Sequence, residues 1–191
     1  MNKHYFISDL HFGHEREFIY KARGFDSIYE MNEEYIKRWN ETVDNEDDVY
    51  VLGDLMLGAA HNIEYVKRLN GRIHIVLGNH DTANREAMYR ELPNVVEVAE
   101  VGIRFKYHKY HFVLTHYPMM TGNLERESLT QMTCNIYGHT HQKADFYEDR
   151  PYMYCVCPET NGGYPEEIEE IILNMKAKVK ECIEFLDIKG D

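Results

Sequence analysis

The sequence predicts a single α/β domain over residues 1–191, with a parallel first half and a largely antiparallel second half. Two observations predict this class. Five short runs rich in Val, Ile, Tyr and Phe are each followed at once by polar residues, and segments of helical character separate the first three. Alternating strands and helices are typical of βαβ units, which build parallel sheets. The chain is also long enough to bury one substantial core.

The first half contains three predicted strands and a predicted helix after each. The strands are the runs YFIS, VYVL and IHIVL, whose residues suit buried strands of a parallel sheet. The helices are the segments EEYIKRWNETV (33–43), HNIEYVKRLNG (61–71) and TANREAMYREL (82–92). Gly71 and Pro93 supply stop signals for the second and third of these helices.

The second half begins with a predicted antiparallel hairpin. The runs GIRFKY and YHFVLTH are separated by a short turn near His108 and Lys109. The runs CNIY and YMYCVC are predicted to be further strands. The segment from Tyr117 to Thr133 lies between two polar strand ends, and we expect such a loop to overhang a site.

The tail is predicted to form an amphipathic helix from Pro165 onwards. Pro165 suits its first turn, and Glu166 and Glu167 suit the positive end of a helix dipole. Its apolar stripe comprises Ile168, Ile171, Ile172, Met175, Val179, Cys182, Ile183 and Leu186.

Composition narrows the class of function. The formal net charge is −12, which disfavours tight non-specific binding to a nucleic-acid backbone. Four cysteines in 191 residues do not form a disulfide framework, and no apolar run approaches the length of a membrane helix or a signal core. We therefore expect a cytoplasmic protein without a membrane partner. No glycine-rich phosphate loop supports a generic nucleotide-binding protein.

Ligand-type residues follow the ends of five predicted strands. They are Asp9, His11, Asp54, Asn79, His80, Asp81, His116, His139 and His141. Ligands gather at the carboxyl ends of strands in α/β sheets, so we expect these side chains to converge. Two pairs lie two positions apart, and in an extended chain such residues point to one face. Carboxylates, imidazoles and an amide oxygen suit Mn, Fe or Zn, and their number suits a two-metal site.

The ordered motifs DLH, GD, GNHD, a single His and GHTH carry a resemblance to a known family. They resemble those of the calcineurin-like metallophosphoesterase superfamily. The resemblance implies two packed mixed sheets flanked by helices, an αββα sandwich, and we expect no separate cap domain. It also implies a first metal ion held by Asp9, His11, Asp54 and His141. The second ion would be held by Asp54, Asn79, His116 and His139, with Asp54 as the bridge and His80 as the catalytic histidine.

The resemblance implies hydrolysis of a small or accessible phosphate ester, with a phosphodiester favoured over a monoester. Two transition-metal ions, Mn, Fe, Zn or Ni, would acidify a bridging water, and the resulting hydroxide would attack phosphorus in line. The alternatives are a nuclease and a non-catalytic metal-binding interaction module on the same fold. The sequence names neither the oligomeric state nor the natural substrate.

The sequence leaves open the roles of several residues near the predicted ligands. The protein phosphatases of the superfamily carry an Asp and an Arg where this chain has Leu57 and Gly58, which leaves open what orients His80. Asp81 is a candidate for that role, or for capping the helix that follows it. His14 and Asp81 are both candidates for substrate contact or for support of the ligands. The candidate phosphate-binding arginines are Arg16, Arg23, Arg85 and Arg126.

Overall fold

The computed structural model describes residues 2–121, 129–141 and 150–188 and places them in two sheets with helices. The first sheet is built from β1 (His4–Ile7), β2 (Asp48–Leu52), β3 (Arg72–Val76), β4 (Val95–Ala99) and β9 (Glu166–Glu167). The second is built from β5 (Gly102–Tyr107), β6 (Tyr110–Thr115), β7 (Thr133–Tyr137) and β8 (Met153–Cys155). The helices are α1 (Glu17–Tyr20), α2 (Ile28–Thr42), α3 (Ile63–Val66), α4 (Ala83–Arg90), α5 (Pro158–Asn161) and α6 (Ile168–Ile188).

The first sheet confirms the parallel prediction for the first half. Its strand order is β4-β3-β2-β1-β9, and β1, β2, β3 and β4 all run parallel. The sequence reading missed β4, an edge strand whose side chains are mostly exposed or half-buried. It also missed β9, which pairs antiparallel with β1 at the opposite edge.

Both faces of the central strands are buried, in two different cores. Ile7 of β1 points into a core shared with α2, where Trp39 is fully buried. The neighbouring Phe6 points to the other face, into the core between the two sheets, which Phe112 and Ile171 also enter. This alternation follows from the two-residue period of a strand. The structure therefore confirms an α/β sandwich of two mixed sheets with helices.

The second half is less antiparallel than the sequence predicts. Only β5 and β6 form the expected antiparallel hairpin, whereas β6, β7 and β8 pair in parallel. Parallel neighbours need a crossover of a dozen or more residues. Residues 116–132 and 138–152 are long enough to supply these crossovers. Part of the predicted overhanging loop, residues 122–128, lies outside the described residues.

Two helices differ from their predicted bounds. The expected helix over 61–71 is a 3-10 turn at Ala60–Asn62 followed by the single turn of α3. The tail helix begins at Ile168, because Glu166 and Glu167 pair with β1 before it starts. Ile168, Ile171, Ile172 and Met175 are buried as predicted, whereas Cys182, Ile183 and Leu186 lie outside the described side chains. In the part of the chain that the structure describes, no helix has the length and apolar character to cross a bilayer.

Candidate metal centre

The predicted site residues converge at one edge of the sandwich. Each lies in the loop that directly follows β1, β2, β3, β6 or β7, so the carboxyl ends of strands from both sheets contribute. The convergence of these side chains agrees with the strand-end rule. The side chains form two neighbouring sets of donor atoms, which we call group one and group two.

Group one consists of Asp9, His11 and His141, whose donor atoms all lie within 4.8 Å of one another. The two Nε2 atoms of His11 and His141 are 3.0 Å apart. Asp9 Oδ1 lies 3.7 Å from Nε2 of His11 and 3.4 Å from Nε2 of His141. This Oδ1 is buried and has no hydrogen-bond partner among the residues that the structure describes. A cation between these three side chains would satisfy it.

Group two consists of Asp54, Asn79, His116 and His139. Nε2 of His116 lies 2.9 Å from Oδ1 of Asn79 and 3.2 Å from Nδ1 of His139. Oδ2 of Asp54 is 3.8 Å from the same Nε2 and 3.9 Å from Nε2 of His11 in group one. One carboxylate oxygen thus stands between the two groups. Asp9, Asp54 and His116 also place donor atoms within 4.8 Å of one another, so the groups are adjacent.

The tautomer of His116 tests whether this set fits a cation. Its Nδ1–H donates to the carbonyl oxygen of Leu52 at 2.9 Å, which leaves Nε2 with a lone pair. That lone pair faces the Oδ1 of Asn79 and the carboxylate of Asp54, which are also acceptors. Several lone pairs converging on one point, with a backbone carbonyl orienting the imidazole from behind, are typical of a metal site. The residues of group two therefore fit a metal ion.

Burial lowers the pKa of two histidines of the candidate centre, His11 and His139. It lowers the pKa of His11 to about 4, so this imidazole is neutral at pH 7 and free to bind a metal. For Asp54 burial raises the pKa, because the protein leaves this carboxylate without full charge compensation. Bound cations would supply the missing positive charge.

Five of the seven predicted ligands have left-handed backbone conformations. The φ angles of Asp9, His11, Asp54, His139 and His141 lie between 50° and 69°. This conformation costs about 1–2 kcal/mol for a residue other than glycine. Asp9 and His11, like His139 and His141, are therefore brought together by left-handed turns after their strand has ended. The prediction explained their proximity by the alternation of an extended strand, and that explanation was wrong. Such strain is concentrated at functional sites.

Gly53 and Gly138 have no side chain, and the space that a Cβ would fill is occupied by predicted ligands. A Cβ at Gly53, which has a φ of 90°, would lie 2.3 Å from Nδ1 of His116. A Cβ at Gly138 would lie 2.5 Å from Oδ2 of Asp9. Both contacts are far closer than van der Waals distance. The glycine before each ligand is thus required by close approach to a second ligand from another strand.

Asp81 supports the backbone of group two. Its Oδ2 accepts the backbone N–H of Asp54 at 2.9 Å and that of Gly78 at 2.8 Å. Its Oδ1 accepts the hydroxyl of the buried Tyr89 at 2.9 Å. The N-cap of α4 is Thr82, whose side chain makes no capping hydrogen bond. Asp81 therefore connects the loop that carries Asp54 with the loop that carries Asn79.

His80 stands at the open side of the centre. Its backbone N–H donates to Oδ1 of Asp54 at 2.9 Å, and its Nε2 lies 3.9 Å from Oδ2 of the same residue. The side chain is 49% exposed, so its ring is accessible to a bound molecule. The guanidinium of Arg85 donates to the His80 carbonyl and to that of Gly58 at 3.3 Å. Arg85 thus holds the His80 loop.

The remaining candidates divide by their contacts. His14 and Arg16 line a cleft of about 480 Å³ beside group one, with the His14 ring centre 5.3 Å from that of His11. Arg23 is not available to a phosphate, because its side chain is 3% exposed and all its nitrogens donate within the protein. Arg126 lies outside the described residues.

Two contacts to group one were missed in the sequence. Oε1 of Glu159, in α5, accepts from Nδ1 of His141 at 3.2 Å. The thiol of Cys157 donates to Oδ2 of Asp9 at 3.4 Å. The sequence contained a signal, since Cys157 ends the predicted strand YMYCVC and Glu159 follows that strand as the predicted ligands follow theirs. Burial opposes the charge of Glu159, but the hydrogen bond from His141 and the guanidinium of Arg23 hold its pKa below the usual range.

Known proteins are similar to this chain in sequence and in fold. The chain is 35% identical over 156 residues to the uncharacterized protein MJ1445 of Methanocaldococcus jannaschii, which covers 80% of this chain and 76% of that protein. It is 28% identical over 164 residues to the gene 66 protein of Mycobacterium phage L5, covering 74% and 78% of the two chains. The crystal structure of AQ665 from Aquifex aeolicus, a protein of unknown function, superposes with a TM-score of 0.67 at 23% identity. It covers 90% of this chain and 98% of AQ665, and shows a shared fold.

A family model provides the assignment. The model of the calcineurin-like phosphoesterase superfamily domain matches residues 3–163, which include every residue of groups one and two as well as His80 and Glu159. Members of this family are typically hydrolases that use divalent metal ions. The protein belongs to the calcineurin-like phosphoesterase superfamily.

Proposed function

We propose that this protein is a phosphodiesterase that depends on two transition-metal ions. The observation that supports it best is the position of Asp54, whose Oδ2 lies 3.9 Å from Nε2 of His11 and 3.8 Å from Nε2 of His116. A carboxylate between two sets of donors is the arrangement that two neighbouring cations need. Groups one and two are the proposed ligands, and their mixed oxygen and nitrogen donors favour Mn, Fe, Zn or Ni.

The ions, when bound, would acidify a water held between them for in-line attack and would neutralise the phosphoryl oxygens. The protein's own part is to hold the donors in a fixed, buried arrangement. Asp9, His11, Asp54 and His116 are each no more than 1% exposed. Preorganised charge in such a place needs little reorganisation during the reaction.

His80 is the proposed proton donor to the leaving oxygen. Its ring projects from the edge of the centre, 3.9 Å from the Oδ2 of Asp54, and remains half exposed. A substrate phosphate bound at the two groups would therefore meet this imidazole on the solvent side. Donation from His80 would neutralise the charge that develops on the departing alkoxide. The backbone N–H of His80 donates to Oδ1 of Asp54, and this hydrogen bond holds the His80 backbone beside the centre.

A diester fits the distribution of positive charge better than a monoester. A phosphomonoester carries close to two negative charges at neutral pH and gains from additional basic side chains. Arg23 and Arg85 are both engaged with protein oxygens, and Arg16 is the described arginine that lines the neighbouring cleft. The formal net charge of −12 adds no attraction for a dianion. We therefore favour a small, singly charged phosphodiester as substrate.

The test is hydrolysis of bis(para-nitrophenyl) phosphate and para-nitrophenyl phosphate by metal-stripped protein, with Mn, Fe, Zn and Ni each added back. We expect metal-dependent turnover that is faster with the diester. His80→Ala is expected to lower turnover by about 100-fold or more while both ions still bind, since general acid catalysis contributes about 10²–10⁴-fold. Binding of two ions without turnover of either ester would instead favour a non-catalytic module.

A further inference from the structure

Glu159 and Arg23 form a partly buried ion pair directly behind group one. Oε1 of Glu159 accepts from Nε of Arg23 at 2.8 Å and from Nδ1 of His141 at 3.2 Å. The Arg23 side chain is 3% exposed and that of Glu159 is 22% exposed. Nη2 of Arg23 also lies 3.3 Å from this Nδ1, but it donates to the Asp9 carbonyl at 2.8 Å. Because a carboxylate only accepts hydrogen bonds, the Glu159 contact favours the His141 tautomer with its proton on Nδ1 and its Nε2 lone pair directed at Asp9 and His11.

Arg23 connects the same carboxylate to the other two members of group one. Its Nη2 donates to the carbonyl oxygen of Asp9 at 2.8 Å and its Nη1 to that of Leu10 at 3.2 Å. These carbonyls lie in the segment where Asp9 and His11 have left-handed conformations. The planar guanidinium therefore holds a strained backbone segment in place.

The helix that carries Glu159 is firmly attached to the sandwich. The hydroxyl of Thr160 donates to the Cys157 carbonyl at 2.8 Å, and the amide of Asn161 donates to the Val156 carbonyl at 3.2 Å. The same Val156 carbonyl accepts from the backbone N–H of Ser8 at 3.1 Å, beside Asp9. Glu159 is thus carried by a segment that is hydrogen-bonded to the backbone beside Asp9.

In group two, the described hydrogen bond at the back of the His116 ring is made to an uncharged group. The ring donates to the neutral carbonyl of Leu52. A carboxylate behind a histidine ligand raises the basicity of the imidazole more than a carbonyl does, and such partners tune metal affinity. The two groups therefore differ in the group that orients one of their histidines: a charged carboxylate for His141 and a neutral carbonyl for His116.

We propose that Glu159, held by Arg23, is a positioning residue that sets the affinity of group one for its metal ion and leaves group two unaffected. It contacts neither substrate nor the reacting atoms. The inference rests on the two-metal centre of the proposed function and is independent of which ester is cleaved.

The test is a calorimetric titration of metal-stripped full-length protein with Mn²⁺ and Zn²⁺, comparing wild type with Glu159→Gln. We expect wild type to bind two ions. In Glu159→Gln, one site should weaken by about 10–100-fold and the other should stay within twofold, because loss of a residue behind a ligand typically costs that much. Glu166→Gln is the matched control, since its buried carboxylate also accepts a hydrogen bond, from Tyr154 at 2.6 Å, but lies on β9. It should leave both affinities unchanged.

Arg23→Lys provides a second variant if Glu159→Gln fails to fold. It keeps the charge but loses the planar fork, so it should weaken the same single site. The visible absorption of the Co²⁺-loaded protein should change for one ion only. Unchanged affinities in both folded variants, or equal weakening at both sites, would overturn the proposal. Wild type that binds two ions but cleaves no ester would overturn the phosphodiesterase and leave this test readable.

Discussion

The two donor groups have similar ligands but are held in place by different kinds of interaction. Group one is supported by the partly buried pair of Arg23 and Glu159, which contacts the backbone beside Asp9 and the ring of His141. Group two is supported by the Leu52 carbonyl and by Asp81, which collects two backbone N–H groups and a tyrosine hydroxyl. His141 of group one is thus oriented by a charged carboxylate, and His116 of group two by a backbone carbonyl.

This difference predicts how strongly each group responds to substitution of the residues that support it. Removing one partner of a buried ion pair leaves an uncompensated charge, which is strongly destabilising. Removing one neutral donor leaves a smaller penalty. Group one should therefore be sensitive to changes remote from the metal, and group two should tolerate them better.

Asp54→Asn is expected to have the largest effect, because its Oδ2 belongs to both groups. Losing the charge between two cations should weaken both by at least about 100-fold, the upper end of what supporting residues contribute. The metal-to-protein ratio after gel filtration and the rate of diester hydrolysis measure it. Asp26→Asn is the control, since that side chain is 94% exposed. Retention of two ions by Asp54→Asn would show that the groups are independent.

Arg23→Ala should be the most destabilising change outside the donor groups. It leaves Glu159 without its ion-pair partner and two backbone carbonyls without a donor. We expect a loss of about 3–5 kcal/mol in the free energy of unfolding of the metal-free protein. Urea denaturation measures it, with the exposed Arg104→Ala as control. A loss below about 1 kcal/mol, as for a surface pair, would remove the contrast between the groups.

Gly138→Ala tests group one by steric crowding of Asp9, without removing any ligand atom. The added Cβ would lie 2.5 Å from Oδ2 of Asp9 and 2.6 Å from Cβ of Ser8. Overpacking typically costs about 1–3 kcal/mol, and here the strain falls on a carboxylate of group one. We expect a lower thermal midpoint and weaker binding of one ion, with the other retained. Equal weakening of both ions would mean that Asp9 serves the two groups alike.

Tyr89→Phe should have the smallest effect. It removes the hydroxyl that donates to Oδ1 of Asp81 at 2.9 Å and leaves the two backbone contacts of the other oxygen. A buried acceptor left without its donor costs about 1–3 kcal/mol. We expect a stability loss near the lower end and a metal affinity of group two reduced less than that of group one in Glu159→Gln. Tyr29→Phe, 66% exposed, is the control.

Much of the fold was predictable because local patterns and chain connectivity agreed. The strands of the parallel half followed from short apolar runs alternating with helices, and the β5–β6 hairpin followed from two runs around a short turn. The parallel pairing of β6, β7 and β8 was missed, although the lengths of the two crossovers permit it. The short strand β9 could not be recognised, because two glutamates before a helix also suit a helix N-terminus.

The sequence alone predicted which residues lie together in the candidate centre, since the order of the motifs and the strand-end rule bring all seven predicted ligands to one edge. The tertiary structure decided how they are held. Left-handed turns, not strand alternation, aim Asp9, His11, His139 and His141. Arg23 and Glu159 are 136 residues apart and meet only in the folded chain. Backbone conformation after a strand and contacts between distant segments depend on packing, which no local pattern of residues records.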